Sequence, residues 1–220
     1  IYSSQFSDKQ TAEDSLVTSI KGRAINDVKH FSFPKGRRKE VWHKNCFALG
    51  LAGGFLEPLE SLGISMIQTG LAKLMTFFPD KSFNAADIAE VNRLQNTELD
   101  RIIDFLVMHY KLTQRDDTPF WRYCQEMKIP DTLAHKIEVF KSQGHIVMHD
   151  HESFEEASWL SMYHGFDVVQ KRFDARVQNL DSKMIEQKLI QMRNSIFGAA
   201  EQAMSHQAFI DKHCRSQRDI

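Results

Sequence analysis

The stretch that most constrains this chain runs from Asn45 to Asp80, NCFALGLAGGFLEPLESLGISMIQTGLAKLMTFFPD. Gly50, Gly53 and Gly54 lie among apolar residues, and Glu57 and Glu60 then bracket Pro58. From about Ser61, apolar residues recur at helical spacing: Ile64, Ile67, Leu71, Leu74 and Phe78. Glycines that let backbone approach something closely, followed by a helix start, build an anion- or cofactor-binding element. The first peptide N–H groups of that helix, around Leu62 and Gly63, lack intrahelical acceptors and carry the positive end of the helix dipole. A carboxylate one or two residues upstream borders such a pocket.

At 220 residues the chain is long enough to bury a sizeable core, as one large domain or as parts of two. Its 28 basic and 29 acidic residues nearly cancel, which argues against nucleic-acid or polybasic membrane binding. Cys46, Cys124 and Cys214 are odd in number and form no C-x-x-C, so neither a disulfide framework nor a zinc site is expected. No apolar run reaches membrane-spanning length and no signal peptide opens the sequence, which predicts a soluble, cytoplasmic protein. Ile1 is not Met and the chain opens inside a predicted strand, so the expectation is the C-terminal part of a longer protein.

Taken in order, Ile1 to Phe6 reads as a short strand and Asp8 to Gly22 as a helix with Ala12, Leu16, Val17 and Ile20 on one face. Val28 to Phe33 reads as a strand ended by Pro34, Lys35 to Lys39 as a solvated basic turn, and Val41 to Leu49 as a buried strand. These complete a sheet whose other strands lie upstream. Asn84 caps a long helix to about Leu112, with Asn96-Thr97 as a candidate break. Thr118-Pro119 starts a short helix through Met127. Asp131 or Thr132 starts another that ends at Gly144, and Ser153 to Tyr163 is a further helix or turn. A last helix runs from Ser182 to about His206 along a stripe of Ile185, Leu189, Met192, Ile196, Phe197, Ala200 and Met204. The fold class is α+β, mostly α-helical.

The segment NCFALGLAGGFLEPLESLGI closely resembles the flavin-dependent tryptophan halogenase family, whose members carry N-C-x-A-x-G-x-A-x-x-F-x-E-P-L-E-[SA]-x-x-I. The likeness extends to Tyr2-Ser3-Ser4 with Phe6, to Gly36-Arg37-Arg38 with Trp42, to Asp117-Thr118-Pro119-Phe120-Trp121 and to Ser205 through Ile210. It implies the C-terminal part of a flavin-monooxygenase-like FAD domain at residues 1–83, followed by a helical substrate-side subdomain at 84–220.

The resemblance also implies a chemistry. FADH2 supplied by a separate flavin reductase, with oxygen and a halide ion, halogenates an electron-rich aromatic in secondary metabolism. Glu60 aligns with the family's active-site glutamate, suited to take a proton from a cationic ring intermediate. Leu62 and Gly63 match the two peptide N–H groups of the halide cradle, with Leu62 in place of the usual Thr. Leu51 and Ile64 match flavin-contacting positions, and Gly53 and Gly54 permit close approach of the ring. Glu57, before Pro58, is expected to be structural, holding backbone or an arginine.

The chain has no G-x-G-x-x-G after a strand. The family's catalytic lysine and Trp-x-Trp-x-Ile-Pro motif belong upstream, and none of Lys44, Lys73 or Lys81 takes the lysine's role. Members acting on free tryptophan carry a longer run with paired tyrosines, a Glu and a Phe-Trp pair before the segment matching Ser158-Trp159-Leu160. Here Gly144 to Glu156 reads GHIVMHDHESFEE, which implies another aromatic, indole-type or phenolic, free or presented on a carrier or peptide. His145, His149, Asp150 and His151 read as a polar loop or cleft rim and not as a metal site, and Phe120 and Trp121 as core. A homodimer stays open, as do a hydroxylating flavin monooxygenase and a catalytically silent interaction module.

Overall fold

The computed structural model describes residues 1–33 and 35–215. Pro34, expected to end a strand, lies outside the described residues. The chain forms two compact units, Ile1–Arg172 and Phe173–Ile220.

The first unit is built on one long helix. Helix α1 (Lys9–Ser19) is capped by Asp8, whose carboxylate accepts from the Thr11 N–H; it buries none of its residues. Helix α2 (Gly63–Thr76) follows the glycine-rich stretch. Helix α3 (Ala85–Lys111) starts where the Asn84 side chain accepts from the Ala86 N–H. Its 27 residues span about 40 Å at 1.5 Å each. The expected break at Asn96-Thr97 does not occur. Asn96 Nδ2 donates to the Asn92 and Lys39 carbonyls and Thr97 Oγ1 to that of Arg93, so neither side chain draws on the helix's own N–H groups. Helix α4 (Pro119–Glu126) has Thr118 as its cap and Pro119 in the first turn. Helix α5 (Asp131–Gln143) stops at Gly144 in the left-handed conformation, φ +76°, and α6 (Glu156–Gly165) follows.

The core lies against α3. On one side Phe105 and Met108 pack with Leu133, Ile137, Phe140, Trp159 and Tyr163; on the other Leu99, Ile102 and Leu106 meet Leu56, Leu59, Leu62 and Met66. Lys136 is buried with Glu152, donates to the Val147 carbonyl at 2.6 Å and stands 4.3 Å over the Trp159 ring. A buried amine with a carboxylate, a carbonyl and an aromatic face around it is compensated on every side.

Among the described residues the expected sheet does not form. Strands β1 (Gly36–Arg37) and β4 (Gly54–Phe55) pair antiparallel, as do β2 (Trp42–His43) and β3 (Cys46–Phe47). Val41 to Leu49 is therefore a tight hairpin turning at Lys44, φ +54°, and not one strand. Ile1 to Phe6 and Val28 to Phe33 form no strand, because among the described residues neither has a ladder partner. Instead Phe6 packs on Phe120 and Tyr123, and Phe33 meets Phe55 edge-on at 4.9 Å.

The basic turn is exposed, as expected, and is also tied to the fold. Arg37 donates to the Asn96 carbonyl and pairs with Asp100 at 2.8 Å, and Arg38 Nε donates to the Ala52 carbonyl. Asn92 completes the attachment: its Oδ1 accepts from the Trp42 N–H at 2.9 Å and its Nδ2 donates to the Trp42 carbonyl at 2.8 Å. One α3 side chain thus replaces a neighbouring strand for the hairpin.

The second unit contains a short 3-10 turn, α7 (Ser182–Gln202) and α8 (His206–His213). Helix α7 matches the last helix expected from sequence, ending four residues early, and Ser205 Oγ accepts from the Ala208 N–H to start α8, which was not expected. The stripe on α7 is exposed at Leu189, Met192, Ile196 and Phe197.

Candidate active site

Between β4 and α2 the chain passes through a 3-10 turn, Leu59–Ser61, in which Glu60 and Ser61 both have positive φ, +64° and +53°. Neither is glycine, so each left-handed residue costs about 1–2 kcal/mol that its surroundings must offset. The surroundings are visible. Glu57 Oε2 accepts from the Tyr110 hydroxyl at 2.8 Å, and Glu60 Oε1 lies 2.9 Å from His109 Nε2. Both acids of the E-P-L-E stretch therefore grip the last turn of α3, at adjacent residues. Leu59 and Leu62 point the other way into the core beside Leu99 and Leu106.

The turn sets how α2 begins. Leu62 is its N-cap and offers no side-chain acceptor. Among the described residues neither the Leu62 nor the Gly63 N–H donates to a protein oxygen. A Cβ built on Gly63 would meet nothing within 4 Å, so the helix start is open on that side. The Leu62 side chain is half-buried against α3 and leaves the donors bare. Two free N–H groups at the positive end of a 14-residue helix are matched chemically to an anion.

Other expected site residues fall on the same segment with different surroundings. Leu51 and Ile64 are largely exposed, at 72% and 73%. Gly53 and Gly54 admit the chain's own backbone: a Cβ would lie 3.1 Å from the Ala48 oxygen at Gly53 and 2.9 Å from the Arg37 Cα at Gly54. Lys73 is paired with Glu98 and donates to Gln95 Oε1, which ties α2 to α3.

Glu57 is structural, as expected, but its partner is a tyrosine and not backbone or an arginine. Its side chain is only 7% exposed, with Lys35 3.7 Å away. Burial, then the bond to Glu57, pushes the Tyr110 phenol well above its usual range. His109 and Tyr110 were missed as partners of the two acids. They are 49 and 53 residues away in sequence, and the only local signal is a polar pair ending an amphipathic stripe.

Behind His109, the Phe105 ring stacks on Phe154 at 3.8 Å and meets Trp159 edge-on at 5.0 Å. Trp121 stacks on Tyr110 and Arg115 stands 4.5 Å over its ring; Phe120 and Trp121, expected in the core, are half-buried and pack beside it. In the 144–156 segment His145, Asp150 and His151 are exposed, whereas His149 is half-buried, its N–H 3.4 Å from Glu152 Oε1. Among the described residues no group of three or more His, Cys, Asp or Glu could hold a metal ion, and no helix is long and apolar enough to cross a membrane.

Comparison with known proteins supplies the family to which this arrangement belongs. The tryptophan halogenase family model matches residues 1–182, so the chain belongs to that family, whose members are flavin-dependent enzymes. Tryptophan 7-halogenase KtzQ of Kutzneria sp. (strain 744) is 36% identical over 146 residues, which cover 64% of this chain and 27% of that protein. Tryptophan 7-halogenase RebH of Lentzea aerocolonigenes is 38% identical over 110 residues, 50% of this chain and 21% of that one. Among solved structures, Xcc4156, a flavin-dependent halogenase from Xanthomonas campestris, aligns with a TM-score of 0.91 at 36% identity over 98% of this chain and 43% of its own. BrvH, a flavin-dependent halogenase from Brevundimonas sp. BAL3, aligns with a TM-score of 0.88 at 37% identity over 96% of this chain and 43% of its own. The chain thus spans about a quarter of the curated relatives and less than half of the solved ones.

Proposed function

We propose that this chain supplies the halide- and substrate-facing half of a flavin-dependent halogenase. Residues 1–83 face flavin and halide, and residues 84–220 form the substrate side. The observation that carries the reading is the left-handed turn at Glu60 and Ser61, which sets an acid beside two unbonded amides at a helix start. The residues present fit the flavin and halide: bare N–H groups for an anion, open space beside the Gly63 Cα, and exposed Leu51 and Ile64 to cover an apolar ring face.

Reduced flavin, when bound, supplies with oxygen the oxidising equivalents that turn halide into an electrophile. Overall, FADH2, O2, halide, a proton and the aromatic give FAD, the aryl halide and two waters. The amides of Leu62 and Gly63 hold the halide. Glu60 accepts the proton that the ring carbon sheds as the carbon–halogen bond persists and aromaticity returns.

We further propose that the substrate is an indole-type aromatic other than free tryptophan. The rings of the 144–163 segment are used by the fold: Phe154 stacks on Phe105, and Trp159 and Tyr163 are wholly buried. None of these three is left to close over free tryptophan from that side, which leaves a more open cleft for a different indole-bearing molecule.

The test is product analysis of a halogenase-length protein with FAD, a reductase, bromide and a panel of aromatics. Brominated product is expected, with indoles ahead of tryptophan. Glu60→Gln should lower the rate by about 10²-fold, as loss of a general base does. Tryptophan as best substrate would overturn the substrate reading, and an unchanged rate in the variant would remove Glu60 from the chemistry.

A further inference from the structure

His109 faces two acceptors. Its Nδ1 lies 2.8 Å from the Phe105 carbonyl oxygen one helical turn back, and its Nε2 lies 2.9 Å from Glu60 Oε1. A carbonyl can only accept, so Nδ1 carries a hydrogen. The second contact then needs a proton between Nε2 and Oε1, because an imidazole lone pair facing a carboxylate oxygen repels it.

We propose that His109 is the positioning residue of Glu60. It holds one carboxylate oxygen through a shared proton and leaves the other, Oε2, as the oxygen that takes the substrate's proton. This rests on the halogenase reading of the site.

The geometry supports the role from both ends. The imidazole is clamped between ring edges, with Phe105 at 5.1 Å and Phe166 at 6.5 Å between centroids. Its side chain is 15% exposed against 35% for Glu60, so the pair is anchored at the histidine and open at the acid. Among the described residues Glu60 has no other hydrogen-bond partner, and Oε2 makes none.

Nearby charged and titratable groups are engaged elsewhere. Glu57 takes the Tyr110 hydroxyl, Lys111 donates to the Gln125 and Met127 carbonyls, and Asp167 accepts from Gln114. The proton between His109 and Glu60 is therefore shared by those two groups alone.

In the step itself the ring C–H bond breaks and its electron pair returns to the ring. The proton goes to Oε2, the shared proton stays on Nε2, and Oε2–H is later released to solvent. Nothing beyond the proton moves, so the step needs no further reactant.

Two readouts test this. In the chain labelled with 15N at histidine, long-range 1H–15N spectra at neutral pH report each ring nitrogen, with His109→Leu assigning the signals. Nε2 of His109 should resonate as a proton-bearing nitrogen and move toward the lone-pair position in Glu60→Ala; identical spectra overturn the shared proton. In the halogenase-length protein with reduced flavin, bromide and indole, His109→Leu should lower kcat by about 10- to 100-fold, the worth of one hydrogen bond to a charged group, with KM for bromide unchanged. His109→Gln, whose amide donates from the Nε2 position, should recover most of that loss. Equal losses in the Leu and Gln variants, or a loss confined to KM, overturn the positioning role. A wild-type protein that brominates nothing overturns the halogenase reading, while the nitrogen signals still decide the pairing.

Discussion

The Tyr110 hydroxyl donates to Glu57 Oε2 at 2.8 Å across 53 residues of sequence, and with it the turn that presents Glu60 is fastened to the end of α3. Glu57 Oε1 is buried with no partner among the described residues, so the carboxylate depends heavily on that one phenol. Tyr110→Phe should cost about 1–3 kcal/mol in urea unfolding, since it leaves a buried acceptor unsatisfied. The sign with pH follows from the raised phenol: it stays protonated in the folded chain while the unfolded one ionises near its ordinary value of 10.0. The stability it contributes is present below pH 10 and lost as pH rises further. Tyr163 is shifted the same way by burial, so Tyr110→Phe should remove part of that alkaline loss and not all of it.

Lys136 and Glu152 form the most deeply buried ion pair, with side chains 1% and 4% exposed. Lys136→Met should cost about 3–5 kcal/mol by stranding the carboxylate. Adding Glu152→Leu should return much of the loss, a recovery readable as non-additivity in a double-mutant cycle.

His149 lies beside that pair, and burial first, then the Lys136 charge, hold its imidazole below the ordinary 6.5. The unfolded chain binds the proton more readily, so His149 contributes stability that is present above pH 6.5 and lost as pH falls through its depressed folded value. Urea midpoints measured at pH 7.5 and pH 5 should drop less in His149→Gln than in wild type.

Two glycines of the site segment should part company. Gly54→Ala drives a methyl to 2.9 Å from the Arg37 Cα, backbone that has little room to give, and should destabilise by about 1–3 kcal/mol. Gly63→Ala meets open space and should stay within about 0.5 kcal/mol of wild type. Its methyl would stand near the bare amides, so in the halogenase-length protein the KM for bromide should rise.

Local chemistry was legible where it is self-contained. Asn84, Thr118 and Gly144 bound helices as their side chains and conformations demand, and the apolar period of 64–78 is a helix. The bare amides at Leu62 and Gly63 follow from the same helix start. Strands failed for the opposite reason: Val28 to Phe33 has the composition of a strand, but a strand exists only with a partner. The attachment of the exposed basic turn was not legible, because its acceptors, the Asn96 carbonyl and Asp100, come from a helix some 60 residues on. His109 and Tyr110 were hidden likewise, since an acid that needs a distant donor leaves no trace at its own position.

Helix α3 carries Asn92, which holds the hairpin, and Tyr110, which holds the acid turn, 18 residues or about 27 Å apart on one rod. That rod works as a gauge: it fixes the distance and the angle between two features that loops merely connect. Lengthening the loop between α2 and α3 by a residue leaves the gauge intact. One residue added inside α3 between 97 and 104 swings its far end by about 100° and carries both grips away from their acids.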